Sequence, residues 1–193
     1  MELVMATQNK NKVTEIMELL PQSFEIKTLA EIGCLAEIPE TQDTLEGNAL
    51  QKAQFVAEKY GVNCFADDTG LEIDALDGAP GVYSARYAGP EKDAGQNIEK
   101  VLKNLKGETN RKARFRTVIA LMLEGETFLF EGIAEGDIRT EKSGSAGFGY
   151  DPIFQPVGYK LTFSELSMSE KNEISHRGKA VRKLVEHLTN QQL

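Results

Sequence analysis

Apolar positions along the chain switch between two periods. Glu2-Leu-Val-Met-Ala6 is a short apolar run of strand length, and Val13, Ile16, Met17 and Leu20 follow at helical spacing until Pro21 stops them. Strand, polar loop and helix form the opening unit. Phe24-Glu-Ile-Lys-Thr28 alternates as a half-buried strand does, and Leu45 to Tyr60 reads as a helix ending before Gly61. The apolar run Cys64-Phe-Ala is closed by Asp67-Asp68-Thr69-Gly70, and Leu71-Glu-Ile-Asp74 then alternates as another strand. Gly78-Ala-Pro-Gly81 specifies a fixed turn. Residues 93–105 place Ile98, Val101, Leu102 and Leu105 on one helical stripe. Residues 113–123 and 127–138 are both β-rich, and Gly125-Glu126 suits a two-residue hairpin turn between them. A last amphipathic helix carries Ala180, Val181, Leu184, Val185 and Leu188, with Ser175 as its N-cap, and the tail Asn190-Gln-Gln-Leu193 is expected to fray. The expected fold class is α/β, with a mixed, partly antiparallel twisted sheet and flanking helices.

Composition narrows this picture. A chain of 193 residues without repeats, low-complexity runs or a linker reads as a single domain over 1–193. Apolar residues at 40% against charged residues at 27% are those of an ordinary globular protein. No span approaches the roughly 18 apolar residues of a membrane helix, and the first residues lack the basic start of a secretory signal. No membrane partner and a cytoplasmic location are the expectations. Cys34 and Cys64 have no metal-ligand or CxxC spacing and read as buried free thiols. A net charge of −8 argues against nucleic acid as a partner, because such binding neutralises many phosphates over a broad basic face. A small anion is still compatible, given a local group of cations or a bridging metal.

Asp67-Asp68 is the sharpest chemical signal. Two carboxylates ending a buried strand repel each other and lose hydration, a cost that a bound divalent cation offsets; the competing reading is a strand-to-turn junction. In the loop Thr7-Gln8-Asn9-Lys10-Asn11-Lys12, backbone N–H groups at a helix N-terminus stand beside two lysines, which suits a phosphate cradle or a capped helix start with solvated lysines. Asn48 and Lys52 share one face of their helix, and Glu40 precedes it in a loop. Gly144-Ser-Ala-Gly147-Phe148-Gly149-Tyr150-Asp151-Pro152 lacks the lysine and serine of a P-loop; it offers either a stacking platform for a planar base or a bent loop with its aromatics in the core. His176 and Arg177 fall in the first turn of the last helix, where an arginine opposes the helix dipole unless an electron-rich partner compensates.

Taken together, Ala6-Thr-Gln-Asn9-Lys10-Asn-Lys12, Glu40-Thr41 with Glu46-Gly-Asn48-Ala49 and Lys52-Ala53, and Ala66-Asp-Asp-Thr-Gly-Leu71 resemble the inosine triphosphate pyrophosphatase family. Gly78-Ala-Pro-Gly-Val-Tyr-Ser-Ala-Arg86-Tyr, Ala113-Arg114-Phe115, Gly147-Phe-Gly-Tyr-Asp-Pro-Ile-Phe154 and Lys171-Asn-Glu-Ile-Ser175-His-Arg-Gly178 resemble its later blocks, in order. The resemblance implies a homodimer of two-lobed subunits, each with a central cleft. It implies hydrolysis of ITP, dITP and XTP to the monophosphate and pyrophosphate with Mg2+. Thr7, Gln8, Asn9, Lys10, Asn11, Lys12 and Lys52 would then hold the triphosphate, and Glu40 and Asp68 the metal, with Asp68 also activating water. Thr69, Phe148, Gly149, Tyr150, Asp151, Lys171, His176 and Arg177 would contact the nucleotide, with Arg177 reading the 6-keto oxygen. Two positions depart from the family pattern: Gln8 replaces a small residue, which is expected to narrow the phosphate loop, and Thr69 replaces the commoner serine. The rival readings are a phosphatase with an aspartyl nucleophile and a nucleotide-binding regulator without turnover.

Overall fold

The computed structural model describes residues 2–191. Strands and helices follow as β1 (Glu2–Met5), α1 (Lys10–Leu19), β2 (Glu25–Thr28), α2 (Leu45–Tyr60), β3 (Cys64–Ile73), β4 (Pro80–Gly81), α3 (Ala94–Asn104), β5 (Lys112–Leu123), β6 (Glu126–Ile138), β7 (Phe154–Pro156), α4 (Met168–Ile174) and α5 (His176–Asn190). Among the described residues, seven strands form one mixed sheet in the order β2-β1-β3-β5-β6-β7, with β4 paired antiparallel to β3 off that path. No described helix is long and apolar enough to cross a membrane.

β1 runs parallel to β2 on one side and to β3 on the other. α1 leads from β1 out to β2, and α2 leads from β2 back past β1 to β3. In such sheets a ligand usually binds at the carboxyl ends of the strands where successive crossovers reverse direction, here beside β1. The loop of residues 6–9 lies there.

The described residues fall into two compact units. The first takes in the chain up to Asp68, Thr117–Gly132 and the chain from Arg177 onward; the second takes in Thr69–Arg116 and Ile133–His176. The first unit buries Leu3, Met5, Phe65, Ile119 and Leu121 of its strands against Ile16 of α1 and Val181, Leu184 and Leu188 of α5. The second packs Ile98 and Val101 of α3 with Leu71, Phe115, Phe154 and Phe163.

Several elements follow from local chemistry. α2 starts at Thr44, whose hydroxyl accepts the Gly47 N–H, and ends at Gly61 with φ 65°, a conformation glycine adopts without steric cost. Asp93 caps α3 by accepting the Gln96 N–H. α4, which was not evident as a helix in the sequence pattern, opens with a Ser167–Glu170 capping box.

Three expectations need correction. β3 runs unbroken through Asp67, Asp68, Thr69 and Gly70, so the acids lie mid-strand rather than at a strand-to-turn junction. The β5–β6 turn is Glu124-Gly125, with φ of 51° and 86°, one residue earlier than Gly125-Glu126, because both central residues of this hairpin turn take positive φ and Glu126 already belongs to β6. Met17 is exposed and Glu15 is buried in its place. The inward face of α1 carries Lys12 and Glu15, three residues apart, and both are drawn in by buried charge. α5 runs through Asn190, the first residue of the tail, and residues 192–193 of that tail lie outside the described residues.

Candidate active site

Consecutive residues of a strand point to opposite faces, and this separates the two acids. Even-numbered positions of β3 face α2: the Cys64 thiol donates to the Ala53 carbonyl at 3.2 Å, and Asp68 meets Lys52 and Asn48. Odd-numbered positions face the other way, with Phe65 in the core beside α1 and α5 residues and Asp67 against Lys12 and Arg177. Each carboxylate has its own cations, so the repulsion expected from adjacency is largely removed.

Asp67 is 1% exposed. Its Oδ2 lies 3.1 Å from Lys12 Nζ and 3.4 Å from both Nε and Nη2 of Arg177. Burial alone would raise its pKa, but the charges of Lys12, Arg177 and Lys52 outweigh burial and hold the carboxyl well below the usual range. Arg177, 2% exposed at the start of α5, also donates through Nη1 to the buried Glu15. These carboxylates are the electron-rich partners that an arginine at a helix N-terminus demands.

Lys52 ties the opposite face together. Its Nζ sits 2.6 Å from Glu40 Oε1, 3.3 Å from Asp68 Oδ1 and 2.8 Å from the Asp67 carbonyl oxygen. That carbonyl also accepts from Lys12 Nζ at 3.3 Å. Pairing with β1 reaches only Phe65, whose carbonyl accepts the Ala6 N–H, and beyond it two ammonium groups take up the Asp67 carbonyl. Burial is the largest influence on both lysines. In Lys52 the anions Asp68, Glu40 and Asp67 override it and raise the pKa. In Lys12 it prevails over the attraction of Asp67, is reinforced by Lys52, and lowers the pKa.

The loop that precedes α1 is ordered by its own side chains. Asn9 caps the helix by accepting the N–H groups of Asn11 and Lys12, and its own N–H donates to the Thr7 hydroxyl. Gln8 donates from Nε2 to the Ala36 carbonyl at 3.1 Å, so its side chain lies against the segment leading to Glu40. Lys10 and Asn11 are exposed on the first turn.

The second unit holds the other expected residues. Asp151 Oδ2 accepts from Lys171 Nζ at 2.6 Å and from the Phe148 N–H at 2.9 Å, and both members of the pair are buried. Lys171 Nζ also lies 5.2 Å from the centre of the half-exposed Phe148 ring. Gly147 makes this possible: its φ is 75°, and a Cβ there would stand 2.1 Å from Asp151 Oδ2. Of the two loop aromatics, Tyr150 is in the core with its hydroxyl donated to the Ser84 carbonyl at 2.7 Å, leaving Phe148 as the accessible ring. Gly149 takes a φ of 60°. His176 stacks on Phe115 at 4.5 Å, and Thr69 is half-buried on β3.

Lys12, Glu40, Lys52, Asp67, Asp68 and Arg177 are thus gathered in the first unit, and Phe148, Asp151 and Lys171 in the second. Two contributors went unassigned in the sequence. Glu15 sits three residues after Lys12, an acid on an otherwise inward stripe. Asn48 shares the buried face of α2 with Lys52. Among the described residues no group of three or more His, Cys, Asp or Glu side chains is placed to hold a metal ion. The oxygens of Glu40 and Asp68 nevertheless converge on one ammonium nitrogen, a pair of hard donors suited to a cation that takes its remaining ligands from phosphate and water.

A model of the Ham1 family matches residues 3–187. A dITP/XTP pyrophosphatase of Flavobacterium johnsoniae is 56% identical over 189 residues, covering 98% of each chain. One of Bacillus subtilis is 51% identical, covering 95% of this chain and 94% of its own. Among solved structures, a HAM1 protein from Coxiella burnetii superposes with a TM-score of 0.91 at 41% identity, covering 98% of this chain and 99% of the other.

Proposed function

Since the chain belongs to the Ham1 family, we propose that it is a nucleoside triphosphate pyrophosphatase that hydrolyses ITP, dITP and XTP to the monophosphate and pyrophosphate. The observation that carries this reading is the convergence of Glu40 and Asp68, from a loop and a strand, on Lys52 in the unit that also holds the loop of residues 7–12.

The centre to be attacked is a phosphorus ringed by anionic oxygens, so approach of water requires that negative charge be neutralised first. Lys12, Lys52 and the N-terminal turn of α1 perform that task for the triphosphate, with Thr7, Gln8, Asn9, Lys10 and Asn11 shaping the loop around it. Glu40 and Asp68 hold Mg2+, which when bound supplies further charge neutralisation at the phosphoryl oxygens. Asp68, the more accessible of the adjacent acids at 9% exposure, orients the water and accepts its proton. Asp67 is a counter-ion that keeps Lys12 and Arg177 in place.

For the base, arginine offers only donors, so Arg177 pairs with the 6-keto oxygen of hypoxanthine or xanthine and not with the 6-amino group of adenine. Glu15 and Asp67 fix its orientation for this role. Phe148 stacks on the base, Asp151 and Lys171 hold its loop in shape, and Thr69, Gly149, Tyr150 and His176 complete the nucleotide contacts or support them. A homodimer in the cytoplasm belongs to the same reading.

The test is pyrophosphate release from inosine, xanthosine, adenosine and guanosine triphosphates with Mg2+, using the native chain and Asp68→Asn. Fast release from the first two substrates and loss of turnover by about 10²–10⁴-fold in the variant, with nucleotide binding retained, are expected. Equal rates on all four would end the discrimination claim. Orthophosphate as the product would favour the aspartyl-phosphatase alternative, and tight binding without turnover the regulator.

A further inference from the structure

We propose that Asn48 is a positioning residue for Asp68. Asn48 is 1% exposed on the inner face of α2, where its neighbours in the helical stripe are Leu45, Ala49, Lys52 and Ala53. Asparagine is a poor helix former, and a buried amide must find partners for both ends, so it weakens a position that alanine would suit better. Its two ends have distinct tasks.

The Asn48 Oδ1 accepts the backbone N–H of Gln42 at 2.9 Å. A backbone N–H can only donate, so this bond settles which way the amide faces and leaves Nδ2 directed at Asp68 Oδ2, 3.2 Å away. The other oxygen of Asp68, Oδ1, faces Lys52 Nζ at 3.3 Å. With one donor on each oxygen, the carboxylate is held against rotation about its terminal bond, and its Oδ1 is turned toward the point shared with Glu40. The same helix fixes the Glu40 side: Gln51 accepts the Thr41 N–H and donates to the Thr41 hydroxyl, both at 2.9 Å. One face of α2 therefore sets the spacing of both acids, through Gln51 and Asn48 at the loop and through Asn48 and Lys52 at the strand.

This inference rests on the pyrophosphatase reading for its kinetic arm and is independent of it for its binding arm. The Asn48→Asp side chain has nearly the same size and keeps the acceptor for the Gln42 N–H, but it presents an anionic oxygen where Asp68 now receives a donor. Asn48→Ala removes the donor without adding charge. Partners that orient a ligating or reacting side chain are typically worth about 10–100-fold in metal affinity or activity. In both variants kcat per folded molecule is expected to fall by at least about 10-fold, with the KM for inosine triphosphate held within about twofold. Electron paramagnetic resonance of Mn2+ with the substrate-free protein is expected to show tighter binding for Asn48→Asp and weaker binding for Asn48→Ala, each by about threefold or more.

Native kcat and an unchanged Mn2+ dissociation constant in both variants would overturn the proposal, as would a loss of activity accounted for by the unfolded fraction measured by circular dichroism. If Asn48→Asp does not fold, Asn48→Ala decides. If the native chain releases no pyrophosphate, the functional reading fails and the Mn2+ measurement still tests Asn48.

Discussion

Replacing Asp67 by asparagine probes how much a buried charge network contributes to folding as distinct from chemistry. The amide has the shape of the carboxylate but no charge: its one oxygen can still accept where Oδ2 lies 3.1 Å from Lys12 Nζ and 3.4 Å from Arg177 Nε, but the two cations lose the anion between them. Breaking a buried ion pair by altering one partner costs about 3–5 kcal/mol. The low end applies here, because Arg177 keeps Glu15 and Lys12 keeps the carbonyl of residue 67. For a chain of this length about 3 kcal/mol corresponds to a fall in Tm of roughly 6–12 °C. The effect depends on pH in a stated direction. Asp67 is held below its ordinary pKa when folded, so its stabilisation is complete above the ordinary carboxylate range near 4 and is lost as pH falls through that range toward the lower folded value. Asp67→Asn has no such group to protonate, so the gap in Tm between native and variant narrows in acid. Differential scanning calorimetry at pH 7 and pH 3 reads both points. A gap under about 2 °C at pH 7, or a gap that widens on acidification, would refute the assignment of Asp67 as the network's buried anion.

Two further outcomes follow from the geometry. Gly147→Ala combines a left-handed backbone with a Cβ placed against Asp151, so the Asp151–Lys171 contact and the Phe148 loop must shift; the KM for inosine triphosphate should rise by about 10-fold or more if that shift removes about 1.4 kcal/mol of binding, and a KM within twofold of native would show that the loop does not contact substrate. The Cys64 thiol is fully buried and burial pushes its pKa up to about 12, so at pH 8 a thiol reagent should leave it unmodified until the protein is denatured; peptide mass mapping that finds rapid labelling of Cys64 in the folded protein would contradict this.

Much of the fold can be read from the chain because its signals are local. The limits of α2 are set by a threonine cap and a glycine stop, and the stripe of Ala180, Val181, Leu184 and Leu188 has only one way to face a core. The types of residue around the site are equally legible, since acids, lysines and a glycine-bent aromatic loop carry their chemistry wherever they sit. Their roles relative to one another are different. Glu15 looks like a solvent-facing acid on α1 until α5 brings Arg177 to it from 162 positions away, and Asp67 meets the same arginine across 110. The two aspartates seem to crowd a single point until β3 passes straight through them and turns one toward α1 and α5 and the other toward α2. Short-range patterns choose helices, strands and caps because hydrogen bonds and side-chain spacing act within a few residues. Which buried charge finds which partner depends on how distant segments pack, because only that packing removes water and makes an unpaired charge too costly to leave.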